Sequence, residues 1–66
     1  MPKGTIKWFN KEKGFGFVSP DDGSRDIYIQ GVNIETEDHA IQDGQRVEYE
    51  NSFGRKGPEA IHIKPI

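Results

Sequence analysis

The sequence predicts an all-β fold, five strands closed into a barrel, and three observations lead there. Short apolar runs separated by turn residues recur along the whole chain, and no stretch keeps a helical spacing of apolar residues for three turns. With 66 residues the chain is too short for two stacked sheets, and closing one sheet on itself removes the edges that an open one would expose. Residues 1–66 read as a single domain without repeats or low-complexity segments. It lies near the size limit at which an apolar core holds unaided, and it has no cysteine for a disulfide or a thiolate metal site.

The first strand runs from about Gly4 to Asn10 and the second from about Gly14 to Ser19; the short polar link between them favours an antiparallel pair. Pro20-Asp21-Asp22-Gly23-Ser24 is the clearest turn, because proline sets φ and Asp-Gly supplies a tight bend. The third strand, Asp26 to Gln30, puts Ile27 and Ile29 on one face and Tyr28 and Gln30 on the other. A longer irregular stretch follows from Gly31 to Asp43, with Val32, Ile34 and Ile41 available to pin it to the barrel. The fourth strand, Gln45 to about Ser52, alternates Val47 and Tyr49 with charged residues, Tyr49 being read as core. After the loop Gly54-Arg55-Lys56-Gly57-Pro58, the fifth strand spans about Glu59 to Lys64 with Ile61 and Ile63 inward. The expected core is Ile6, Val18, Ile27, Ile29, Val47, Ile61 and Ile63, mostly β-branched residues suited to a pleated sheet.

With the aliphatics inside, Phe15, Phe17 and Tyr28 fall on the outer face of neighbouring strands, with Trp8 and Phe9 on the strand beside them. Two phenylalanines on a solvent face spend scarce core material, which asks for a functional reason; the bland alternative is a core pair with Val18 outside. Lys7 and Lys13 border the rings on one side, Arg55 and Lys56 on another. Unpaired bases stack on such rings for about 1–3 kcal/mol each, with little regard to sequence. Three or four rings would supply very roughly 4–10 kcal/mol before ordering costs.

Net charge is −2, yet the charge is segregated. Residues 1–19 hold four lysines against Glu12, residues 20–50 hold Arg25 and Arg46 against nine carboxylates, and residues 51–66 hold three bases against Glu59. Basic ends brought together by the fold would give a locally positive face, and local potential is what a phosphate meets.

The runs Lys7-Trp8-Phe9-Asn10, Lys13-Gly14-Phe15-Gly16-Phe17-Val18, Asp26-Ile27-Tyr28-Ile29, Asp43-Gly44-Gln45 and Lys56-Gly57-Pro58-Glu59-Ala60 resemble the bacterial cold-shock proteins, in order and across essentially the whole chain. The resemblance implies a five-stranded antiparallel OB-fold barrel whose second and third strands carry ribonucleoprotein-type motifs. It places Lys7, Trp8, Asn10, Lys13, Phe15, Phe17, Tyr28, Lys56, Gly57 and Pro58 at positions that contact single strands. Trp8 then faces outward although strict alternation puts it on the side of Ile6, which requires a bulge or the end of the strand near Lys7. The sequence departs from the family pattern at Gln30 and Gly31, where a histidine and a phenylalanine are usual, and in the next loop, which lacks an aromatic and is one residue shorter. Gln30 is either a reader of base edges or a solvated side chain. Phe9, His39, Phe53 and Arg55 are additional candidates.

The implied function is binding of single-stranded RNA or DNA by stacking, as an ATP-independent RNA chaperone or a regulator of transcription or translation in the cytoplasm. The alternative is a protein-interaction barrel using the same rings. No Ser-His-Asp grouping, phosphate-cradling glycine loop or zinc signature is present, so an enzyme is not expected. His39 and His62 lack ligand-type neighbours at metal spacing. No cofactor, small-molecule substrate or membrane partner is expected, and the protein is expected to be a monomer.

Overall fold

The computed structural model describes all residues, 1–66. Five strands, β1 (Lys3–Asn10), β2 (Phe15–Pro20), β3 (Ile27–Gln30), β4 (Arg46–Gly54) and β5 (Gly57–Pro65), close into a barrel in the order β1-β2-β3-β5-β4. One 3₁₀ turn, η1 (Gly31–Asn33), follows β3. Four of the pairings are antiparallel; the β3–β5 contact that completes the ring is parallel. No helix is long and apolar enough to cross a membrane.

The core comprises Ile6, Val18, Ile29, Ile34, Val47, Tyr49, Ala60 and Ile63. Two expected members differ. Ile27 is only partly buried, packed against the cluster from the end of β3, and Ile61 lies outside it. The reason for Ile61 is a bulge: between Glu48 and Glu50 of β4 the partner strand spends three residues, Lys64 to Ile61. His62 takes up the extra residue in the left-handed region, φ 50°. Inward positions on β5 are therefore Ala60 and Ile63, three apart, and simple alternation fails there.

The stretch after β3 is pinned by Ile34, fully buried and bridged to Ile63, with Ile41 packed on the core. Val32, read as a third anchor, instead points outward at 76% exposure because η1 turns the chain between Gln30 and Ile34.

The β2–β3 turn is tied across β1 to β4. Arg46 donates to both carboxylate oxygens of Asp21, at 2.6 and 2.7 Å, and to Thr5 Oγ1 at 3.1 Å. The guanidinium holds the Asp21 carboxyl below the ordinary aspartate value of 3.8. Lys7, with Ser19, does the same for Asp26. A carboxylate depressed by folding contributes stability above its unfolded pKa, and that contribution disappears as pH falls through the folded value. The melting temperature is expected to drop below about pH 3.8. Asp21→Asn should flatten that acid limb in thermal melts followed by circular dichroism; superimposable acid limbs would deny the pair this role.

Candidate nucleic-acid interface

Strand register assembles the aromatic surface. Trp8 pairs with Phe17, and Phe17 with Tyr28, so three rings form one row across β1, β2 and β3; Phe15 stands in the next row between Asn10 and Gln30. Trp8 reaches this face through a bulge. From Ile6 to Trp8 β1 advances two residues while β2 advances one, Val18 to Phe17, leaving Lys7 as the extra residue. Ile6 stays inside and Trp8 is turned out, 36% exposed.

Each outer ring touches both phenylalanines. Trp8 lies 5.4 Å from Phe15 and 5.4 Å from Phe17, and Tyr28 lies 6.0 Å from Phe15 and 5.9 Å from Phe17, centroid to centroid. Interplanar angles of 36° to 74° make this a faceted surface, with rings braced edge to face. Phe15, Phe17 and Tyr28 are half-buried, so their edges are fixed while part of each ring remains accessible.

The basic rim is more differentiated than the sequence suggests. The Lys7 ammonium sits 2.8 Å from Asp26 Oδ2, so its charge is balanced within the protein. Lys56 Nζ lies over the Tyr28 ring, 5.3 Å from its centroid, a cation–π contact. Lys13 and Arg55 are exposed and make no ion pair. Asn10 builds the β1–β2 turn: its Oδ1 accepts from the Lys13 amide at 3.0 Å and its carbonyl from Gly14 at 2.7 Å, leaving the side-chain NH₂ unengaged. Arg55 and Lys56 form the two-residue tip of the β4–β5 hairpin, between Gly54 and its partner Gly57. Pro58 follows, exposed.

Three additional candidates lie apart from the rings. Phe9 pairs with Gly16 and packs against the core, because the bulge that turns Trp8 out turns Phe9 in. Phe53 is 85% exposed and pairs with Pro58, on the alternate face of the hairpin from Gly54. His39 donates from Nδ1 to the Ile34 carbonyl at 3.0 Å, so its ring is tied to its own loop. Gly31 is closely surrounded: a Cβ there would come within 2.9 Å of the His39 carbonyl oxygen and 3.5 Å of the Phe9 ring.

One contact beside the rings is not legible in the sequence. Glu59 is buried next to Tyr28, and its Oε2 accepts from Gln30 Nε2 and Asn33 Nδ2, each at 3.1 Å. Those partners are 29 and 26 residues away in sequence, so no local pattern announces them. The Gln30 NH₂ is held by Glu59, while its Oε1 makes no hydrogen bond and the half-buried side chain stands beside Tyr28.

The sequence profile of the 'Cold-shock' DNA-binding domain matches residues 2–66. The chain belongs to the cold-shock domain family. "Probable cold shock protein A" of Mycobacterium tuberculosis is 43% identical over 67 residues, covering 100% of both chains. "Cold shock-like protein CspE" of Escherichia coli is 47% identical over 62 residues, covering 92% of this chain and 90% of the relative. Among solved structures, drosophila Unr CSD456 superposes with a TM-score of 0.82 at 22% identity, over 98% of this chain and 26% of that one, a likeness of fold. The cold-shock chain is thus a nucleic-acid-binding protein built on an OB-type barrel. Its faceted aromatic surface lies on β1, β2 and β3 of that barrel.

Proposed function

We propose that this cold-shock protein binds single-stranded RNA or DNA by stacking unpaired bases on Trp8, Phe15, Phe17 and Tyr28. The observation that carries the reading is the set of four mutually braced rings, centroids 5.4–6.0 Å apart, on one accessible face. An apolar core side chain has no need of that arrangement, and flat ligands with a π-face match it. Lys56 leaves the Tyr28 ring when a base arrives, and its ammonium then meets a phosphate, with Lys13 and Arg55 supplying the remaining unpaired charge. Asn10, Gly57 and Pro58 shape the two turns that flank the path.

A strand held by its bases cannot re-pair. A weak, fast-exchanging binder at high concentration therefore opens local hairpins without ATP, and acts as an RNA chaperone or as a regulator of transcription or translation. The cytoplasm, where RNA is made and translated, is the fitting compartment, and a monomer suffices for the site.

Titration with a thymidine heptamer should quench Trp8 fluorescence. Affinity should fall short of that of a cold-shock protein carrying histidine and phenylalanine at the places of Gln30 and Gly31, by roughly 2–5 kcal/mol for two or three missing rings. Equal affinity, measured side by side, would contradict the smaller site. Quenching by peptides and by no oligonucleotide would favour a protein-interaction barrel.

A further inference from the structure

Glu59 continues the aromatic row. β3 and β5 pair Tyr28 with Glu59, so the positions Trp8, Phe17, Tyr28 and Glu59 follow one another across four strands. The residue is only 8% exposed, and a carboxylate that deeply placed is costly unless hydrogen-bonded. Oε2 meets that requirement through the amides of Gln30 and Asn33. A carboxylate only accepts, so both amides must turn their NH₂ groups toward it.

Oε1 is different. It makes no hydrogen bond, yet no fully buried side-chain oxygen lacks a partner, so Oε1 reaches solvent. It opens on a cavity of about 370 Å³ lined by Tyr28, Gln30, Gly54, Arg55, Lys56 and Glu59. Gly54 is what admits it: a Cβ there would overlap Oε1. An acceptor with a free lone pair therefore stands beside the Tyr28 ring, in a cavity that Arg55 and Lys56 also line.

We propose that Glu59 Oε1 reads the edge of the base stacked on Tyr28 and selects bases with an exocyclic amino group over uracil and thymine. This rests on the stacking reading above. Cytosine N4, adenine N6 and guanine N2 donate exocyclic N–H groups to a carboxylate, whereas uracil and thymine carry carbonyl oxygens in place of an exocyclic amino group, and their one donor on that edge, N3–H, is flanked by two carbonyls that repel a carboxylate. Cytosine against uracil is the cleanest contrast, since the two rings stack alike and differ in the groups on that edge.

The test uses the full chain and a deoxyuridine heptamer, compared with heptamers carrying one deoxycytidine at each position in turn, followed by Trp8 fluorescence. At one position deoxycytidine should tighten binding about fivefold or more. Glu59→Gln keeps an oxygen for Gln30 and Asn33 and puts an NH₂ in the place of Oε1, so the preference should vanish or turn toward uracil. Gly54→Ala, which displaces Oε1 while keeping the charge, should also erase it. Circular dichroism melts establish that both variants are folded. Equal affinity at every position in the parent protein, or a cytosine preference that survives in folded Glu59→Gln, overturns the proposal while leaving the stacking reading intact. Absence of quenching by every heptamer overturns both.

Discussion

Phe15→Ala is expected to weaken binding of a thymidine heptamer by about 1–3 kcal/mol, roughly five- to 150-fold in Kd, without unfolding the barrel. Phe15 touches both outer rings, Trp8 at 5.4 Å and Tyr28 at 6.0 Å, and belongs to no part of the core cluster. Its loss removes one stacking face and the brace between two others. A chemical-shift titration with the same heptamer reads the effect residue by residue. Shifts should centre on Trp8, Phe17 and Tyr28 in the parent protein and shrink together in the variant. Unchanged affinity in a folded variant would move the binding surface elsewhere on the barrel.

Ile34→Ala is expected to cost about 2–5 kcal/mol of folding stability, the usual range for emptying a closed apolar site. Small domains hold total stabilities toward the lower end of about 5–15 kcal/mol, so the variant should keep only about 0–3 kcal/mol and melt far below the parent protein. Ile34 is fully buried, is bridged to Ile63 on β5, and offers its carbonyl to His39. Val32→Ala, two residues earlier and 76% exposed, should change stability by no more than about 0.5 kcal/mol. Urea denaturation of the two variants measures the contrast. Comparable midpoints would mean that the segment after β3 contributes no more to the core than an ordinary surface loop.

These two positions show how far sequence reading reaches. Val32 and Ile34 are both β-branched, and nothing local separates them; η1 decides which one enters the core. The strands themselves were legible, with boundaries differing by a residue or two at most ends, because a period of two is a property of neighbouring residues. The outward face of Phe15, Phe17 and Tyr28 follows from the same alternation, as does the place of Tyr49 in the core. Trp8 was a partial case. Its conflict with Ile6 announced an irregularity near Lys7, and the β1–β2 register supplies the bulge.

Alternation along the chain determined which residues were apolar-in and which rings were left over. Ring closure decided the rest. It placed the bulge at His62 that exchanges Ile61 for Ala60 in the core, paired Lys7 with Asp26 across 19 residues, and brought Gln30 and Asn33 to the carboxylate of Glu59. A closed barrel must satisfy every pairing at once, and strands of unequal curvature do so only by spending extra residues at particular places. Such places are set by the partner strand, which local sequence does not see.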